Sequence, residues 1–564
     1  MSDLTLKIPR KRTTAWVTET TPKATRLWLN SLPFSDSNQS ARALYRSLYT
    51  LNRLVLNPAR RASILEMYRT PVNTVTVALQ QTLAQQPLPL AVNLRRMTEV
   101  IRELNREMAL GYKIALLDRQ GSWKQRLLRK HQAMAIERTM RYFGEVLVHC
   151  YHAYLPAPSH IWSELNELYR YGEENELLNI PVEIDVERDI GATFIAERYK
   201  QICLLGLCNP YQLSPGDTRK IHIFLYRWAN IATIKSISGT SPAVACFQID
   251  LLRDAPPLLY NRPIETVHEQ RARILDATAL IMKAKSFVQQ LESGEPVSHL
   301  DLGAECLDVA CLELLHRMVR AWGAVITRQH SRSSGKGYLS LCVGVNATHF
   351  FADGQRPFSP PLHSLLSLAN NRSAAADEEP LDIDVDAIND RDPAKALPVS
   401  VVEDYHVTRW EIIDQSASGM FLRSAVLPGA KIRIGELLGV RFGDDVEGDW
   451  WPAAVRRLQS DATGTIEIGI ELLASQVAPV AVCAADGRVP YHAALTLPTL
   501  ETPDNKRPRS LVIPRGLFRE QTDLLLVTGE DTEPVRIRPL KFVERSSSFE
   551  QLYYAEVITP GSSG

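Results

Sequence analysis

The spacing of apolar residues changes character near residue 326, and that break limits the chain to folds that join a helical body to β-structure. Upstream of it, apolar residues recur at steps of three and four. Leu94, Met97, Ile101, Leu104 and Met108 form one such stripe. Leu307, Ala310, Cys311, Leu314 and Met318 form another, ending at Trp322–Gly323. Between them, residues 124–155 read as one long helix that stops before Pro156. Ser159 stands where it can cap the next helix, which carries Trp162, Leu165 and Leu168. Residues 209–231 read as a loop and a helix, and residues 243–252 as a short strand. An α-helical domain is therefore expected over 38–325, behind a polar lead-in at 1–37. No fixed-period repeat marks it as a repeat array.

Downstream the pattern shortens. Residues 326–337 are rich in Gly and Ser, and Val, Leu, Thr and aromatics over 338–351 favour a strand. Residues 352–399, acidic over 377–392, are expected to be a disordered insert. Short strand-like runs punctuated by Gly429, Gly435, Gly443 and Gly464 fill 400–485 and suggest a small antiparallel barrel. Residues 486–510 read as a linker, and 511–560 as a further β-rich segment. The expected class is α+β and multidomain: an α-helical N-terminal half, an antiparallel β-barrel, then a small β-rich segment.

Charge and composition remove several functions. Lys plus Arg and Asp plus Glu both number 64, so the net charge is zero. A surface that coats a nucleic-acid polymer needs an excess of positive charge; a pocket for a small anion does not. No apolar run is long enough to span a membrane, and residues 1–16 lack the apolar core of a secretory leader. The 8 cysteines include no C-x-x-C pair, which favours a reduced cytoplasmic compartment and a role as small core residues. Asp382-x-Asp384-x-Asp386 begins like a calcium loop, but Ala387 replaces the turn glycine and Pro393 the bidentate glutamate. Gly335-Lys336-Gly337 lacks the earlier glycine of a phosphate loop. His149 and His152 have no glutamate at metalloprotease spacing and read as core residues. Glu164, Glu167, Glu173, Glu174 and Glu176 read as a solvated helix face. With no nucleophile, metal or phosphate-loop pattern, no catalytic residue and no cofactor are expected.

One constellation carries chemistry. Asp414-Gln415-Ser416-Ala417-Ser418-Gly419 fits D-x-S-x-x-G between two apolar strands, and Val455-Arg456-Arg457 and Gly469-Ile470-Glu471-Leu472-Leu473 follow. This order resembles the PilZ domain, a six-stranded barrel that binds the bacterial second messenger cyclic di-GMP. The resemblance covers about 85 of the 564 residues, and its informative segment is 409–473. It implies a bacterial, non-enzymatic receptor with cyclic di-GMP as ligand and the helical region relaying to a protein partner. The same barrel without ligand would be an adaptor for protein–protein contacts. The family's other signature, R-x-x-x-R before the first barrel strand, occurs at Arg42/Arg46, Arg102/Arg106, Arg328/Arg332 and Arg515/Arg519. Only Arg328 and Arg332 lie between the last helix and the first barrel strand. They fit if 352–399 is inserted between the first two strands.

The ligand explains the residue types. A guanidinium is a planar, permanently charged fork that pairs with phosphate oxygens or with guanine O6 and N7, and it stacks on a base. The Asp414 carboxylate accepts from guanine N–H groups, the Ser416 hydroxyl donates and accepts, and Gly419 permits a close backbone approach or a positive φ. The candidate ligand-binding set is Arg328, Arg332, Asp414, Ser416 and Gly419.

Overall fold

The computed structural model describes residues 4, 6–13, 18–83, 86, 90–119, 128–184, 191–237, 245–260, 271–294, 310–323, 333–361, 405–424, 431–443, 448–461, 463–485, 490–502, 505–517, 522–529, 532–546 and 548–557. They divide into two compact units, one of residues 1–328 with 459–462, the other of residues 329–458 with 463–564.

The first unit is helical. Its elements are α1 (Pro22–Asn30), α2 (Ser37–Leu51), α3 (Pro58–Leu83), α4 (Val92–Leu117), α5 (Arg129–His152), α6 (Ile161–Glu174), α7 (Ile195–Leu207), α8 (Asp217–Trp228), α9 (Thr278–Glu292) and α10 (Ala310–Gly323). A two-stranded ribbon pairs β1 (Val182–Glu183) with β2 (Ala192–Thr193). A four-stranded sheet of β3 (Thr233–Ser236), β4 (Cys246–Asp250), β5 (Leu258–Leu259) and β6 (Ala272–Asp276) runs in the order β3-β6-β4-β5. One contiguous apolar core takes in Leu44, Leu104, Met108, Leu147, Trp162, Leu204, Leu275 and Trp322, so the stripes read from the sequence face inward. The lead-in holds α1, which Thr21 caps through a hydrogen bond to the Ala24 N–H. The cap of α6 is not Ser159. His160 and Ser163 donate their N–H groups to Asp254, 91 and more residues away.

Charged groups thread this core. Glu137 is fully buried and accepts from Arg138 Nη1 at 2.7 Å and from Arg198 Nε at 2.9 Å. The acidic face of α6 is engaged in part: Glu164 pairs with Lys113 at 2.5 Å and Glu173 with Arg273 at 2.6 Å, while Glu174 and Glu176 are exposed. Trp162, Tyr169 and Tyr171 on the same helix are buried.

The second unit holds two barrels. Its first strands are β7 (Ser333–Ser334) and β8 (Tyr338–Val343), followed by α11 (Val345–Ala352). The strand expected over 338–351 therefore ends at Val343, because residues 345–352 bury Val345, Ala347, Thr348 and His349 at helical spacing. Next come β9 (Thr408–Ser416), β10 (Gly419–Ser424), β11 (Leu437–Phe442), β12 (Trp451–Ser460) and β13 (Ile466–Leu472). Hydrogen bonding runs β7-β9-β8-β11-β12-β13-β10, and β10 pairs back onto β9, so six strands close a ring with β7 outside it. Leu339, Leu341, Trp410, Ile412, Met420, Leu422, Ile468 and Ile470 alternate as its buried set.

A second closed barrel follows: β14 (Ala478–Ala484), β15 (His492–Leu497), β18 (Ser510–Pro514), β21 (Phe549–Glu556), β20 (Val535–Arg545) and β19 (Leu524–Val527), in that order round the ring. The short hairpin β16 (Leu500–Thr502) and β17 (Asn505–Arg507) sits in sequence between β15 and β18. The expected linker at 486–510 thus contains a barrel strand and a hairpin, and β14 belongs to the second barrel, not to the one assigned to 400–485. The cause is periodicity: Val480, Val482, Leu511, Ile513, Leu524 and Leu526 alternate into one core. Of the basic run on β20, Arg536 and Arg538 point outward and pair with Asp523 at 2.9 Å. Of the expected insert, residues 353–361 form turns and extended chain; the acidic run 377–392 lies outside the described residues.

Candidate functional site

Three of the candidate residues meet in one hairpin. Strand β9 turns into β10 through Ala417–Ser418, with Ser416 opposite Gly419. The Ser416 hydroxyl donates to the Gly419 carbonyl at 3.1 Å, which commits its hydrogen and leaves its lone pairs to accept. Gly419 lies between β9 and β13, and a Cβ there would stand 2.4 Å from the Ile470 carbonyl oxygen. The motif glycine therefore serves a close strand approach, not a positive φ.

Asp414 owes its position to a bulge. Leu422 pairs with Ile412 and Phe421 with Asp414, so Ile413 is an extra residue on β9. A bulge of this kind bends the strand and re-aims the side chains that follow it. Asp414 is half-buried opposite Phe421, and Phe421 in turn lies opposite Gly469 of β13. A Cβ at Gly469 would lie 3.8 Å from the Phe421 ring and 3.1 Å from the Arg457 Cβ. Flanking this row are ion pairs between Arg423 and Glu467 at 2.7 Å and between Arg456 and Glu471 at 2.8 Å.

Arg328 and Arg332 lie outside the described residues. The chain that follows them does not. Ser333 pairs with Gln415 and Ser334 with Asp414, so β7 lies along the far side of the motif strand. Gly335-Lys336-Gly337 then moves the chain from β7 to β8 while keeping it on β9. The Gly335 N–H donates to the Ile413 carbonyl at 3.1 Å, and the Ile412 N–H to the Gly337 carbonyl at 3.0 Å. A Cβ at Gly335 would collide with Ile412 Cγ2 at 2.4 Å. This use of the glycine pair was missed in the sequence, although two glycines just before a strand are a recognised mark of a bulge.

Among the described residues, no group of three or more His, Cys, Asp or Glu side chains could hold a metal ion, and no helix is long and apolar enough to cross a membrane. Seven described cysteines are buried and form no disulfide.

Comparison with known proteins gives a consistent result along the chain. Residues 23–239 match the family model described as the cyclic-di-GMP receptor FimW, N-terminal domain. Residues 246–406 and 389–479 match its middle PilZ domain, and residues 480–557 the FimW C-terminal beta-barrel domain. The chain is similar to the cyclic-di-GMP receptor FimW of Pseudomonas aeruginosa, with 26% identity over 572 residues, 96% of this chain and 92% of the relative. No solved structure matches. The helical body, the PilZ barrel and the second barrel follow the order of these three domains, and the chain belongs to the FimW family of PilZ-domain cyclic-di-GMP receptors.

Proposed function

We propose that this chain is a non-enzymatic cytoplasmic receptor that binds cyclic di-GMP on the β7–β9–β10 face of its first barrel and relays the event to a protein partner through the helical unit. Arg328 and Arg332 clasp the phosphates and stack on the bases, Asp414 accepts from guanine N–H groups, and Ser416 accepts beside it. Gly419 holds the two strands close enough for the pair to converge.

One observation carries this reading. The second arginine of the pair is the residue before Ser333, and Ser333–Ser334 lie against Gln415–Asp414. A single peptide bond therefore separates Arg332 from the strand that borders the D-x-S-x-x-G hairpin, despite the long sequence interval between the two motifs.

Isothermal titration of the full chain with cyclic di-GMP tests the proposal. Micromolar or tighter binding is expected. Loss of one charge-assisted contact, at about 1.5–3 kcal/mol, predicts about 10- to 150-fold weaker binding for Arg328→Ala, Arg332→Ala or Asp414→Ala. No heat at high ligand concentration would instead make the barrel an adaptor. Unchanged hydrogen exchange in residues 22–323 on adding ligand would remove the relay.

A further inference from the structure

Strand β20 outruns its neighbour on one side. β19 covers it only at Val535–Ile537, while β21 follows it from Ile537 to Arg545. Among the described residues, no strand pairs with the β19 side of β20 beyond Ile537. An open edge of this kind invites pairing with another chain, and proteins guard it with proline, bulges and charge. Pro539 supplies the first guard. Register supplies the second: Pro539 pairs with Tyr554 and Lys541 with Tyr553, then Phe542 with Leu552 and Glu544 with Gln551, so Leu540 and Val543 are each an extra residue. A bulge re-aims its side chain, and these two are 64% and 41% exposed. Val535 on the same strand is 39% exposed. They are three of the six large apolar side chains exposed among the described residues of the second unit, the others being Tyr338, Val407 and Phe442. Guarding an edge explains the bulges but not their apolar content, since lysine would serve better there.

Cations flank the exposed side chains. β20 carries Arg536, Arg538, Lys541 and Arg545 against one carboxylate, Glu544, which Arg456 takes at 2.7 Å. Asp523 accepts from both Arg536 and Arg538 and so offsets only one of them. Lys541 is exposed and forms no ion pair among the described residues. Arg545 lies over the Phe542 ring at 3.6 Å, and its Nε is 3.7 Å from the Glu550 carboxylate. The exposed Glu533 and Glu556 stand toward the Val535 end of the strand.

We propose that the outer face of β20 docks the second barrel on an anionic lipid surface. Leu540 and Val543 enter the headgroup boundary, and Arg538, Lys541 and Arg545 meet the lipid phosphates around them. Long cationic side chains suit this place, because their stems follow apolar surface while the charge stays at the phosphates. A protein partner fits the face less well. Protein interfaces pack a closed apolar core and are depleted in lysine, whereas here single apolar side chains stand out among cations. A bilayer demands no complementary shape. The chain then lies on the membrane without spanning it, held by apolar insertion and by attraction to anionic lipid.

Co-sedimentation of the full chain with vesicles tests the proposal. One set holds phosphatidylglycerol and phosphatidylethanolamine in a one-to-three ratio; the other is phosphatidylcholine alone. The wild type is expected to sediment with the first set and not the second, and to bind less at high salt. Leu540→Ser should weaken binding about tenfold, the share of an inserted leucine. Lys541→Gln should weaken it about fivefold, the share of one cation at an anionic surface. Asp523→Asn frees a guanidinium and should tighten binding by about the same factor. That gain separates a docking face from a merely structural one, which the substitution could only weaken. Thermal unfolding of each variant checks folding. A wild type that stays in the supernatant overturns the proposal and leaves the face to a protein. Equal sedimentation with both vesicle sets, or folded Leu540→Ser and Lys541→Gln variants within twofold of the wild type, overturns it too. The measurement needs no nucleotide, so its failure and that of the receptor reading are separate results.

Discussion

Single residues in the helical unit set its response to acid, and two of them act in different pH windows. His149 is fully buried, with Nε2 at 3.0 Å from the Thr98 carbonyl. Burial first, then the neighbouring His152, push its pKa down to about 3, with Arg219 and Arg102 acting in the same direction. The unfolded chain would protonate this imidazole near its ordinary value while the folded chain keeps it neutral, so the unfolded state binds more protons and stability falls as pH drops below that value. The His149 share of the loss between pH 7.5 and pH 5 is about 2 kcal/mol, taking about 6.5 for the unfolded histidine. Urea unfolding as a function of pH measures the slope, which His149→Gln should flatten. Glu137 behaves oppositely in origin. Burial alone would raise its pKa, but Arg198 and Arg138 outweigh it and hold the carboxyl at about 2. Its contribution is present in full above the ordinary carboxylate range and is lost progressively as pH falls from that range through about 2, so its loss begins at lower pH than that of His149. Removing the charge leaves two buried guanidinium groups short of a partner, so Glu137→Gln should cost about 3–5 kcal/mol at neutral pH. A variant that loses under 1 kcal/mol would show that water takes over the role of the carboxylate.

At the scale of elements, the β9–β10 hairpin is a place where packing and the proposed recognition share residues. Gly419→Ala puts a methyl 2.4 Å from a main-chain oxygen of β13, which cannot move aside as a flexible side chain would. The strands must part, at the roughly 1–3 kcal/mol typical of overpacking. Both the unfolding temperature and the affinity for cyclic di-GMP should fall, whereas Ser418→Ala in the exposed turn should leave both unchanged. Affinity lost at full stability would instead mean that Gly419 touches the ligand. This hairpin was legible in the sequence because D-x-S-x-x-G is a local device: a carboxylate, a hydroxyl and a glycine within one turn. The amphipathic stripes around Leu104 and Leu314 were legible for the same reason, since helical spacing is set by neighbours in the chain. The pairing of Ser334 with Asp414, and the row that runs from Asp414 to Arg457, were not. They are products of register between strands distant in sequence, and a one-residue bulge at Ile413 decides which side chains share a face. The cap of α6 by Asp254 escaped for the same reason.

For the molecule as a whole, the division into units does not follow the division into barrels. Both barrels lie in the second unit, and one core joins them: Val345, Leu437, Ala454 and Leu473 of the first pack with Leu495, Leu497, Val512 and Phe549 of the second. Helix α11 packs against β8 and β11 of the first barrel and against β14 and β15 of the second. Arg456 ties them electrostatically, with Nη2 donating to Glu544 at 2.7 Å while Nε donates to Glu471 at 2.8 Å. A shared core implies shared cooperativity, because a barrel that opened alone would expose half of that core to water. Phe549 tests this, since it is fully buried and belongs to the second barrel. Phe549→Ala is expected to cost about 3–5 kcal/mol, the usual range for emptying an aromatic site in a core. Hydrogen exchange in β9 and β10 of the first barrel should then accelerate by the same factor, about 150-fold or more, as exchange in β18 and β21. Faster exchange confined to residues 478–557 would show that the two barrels unfold separately. The D-x-S-x-x-G hairpin would then stand without support from the second barrel, and that barrel's contribution would have to be sought in contacts with other molecules.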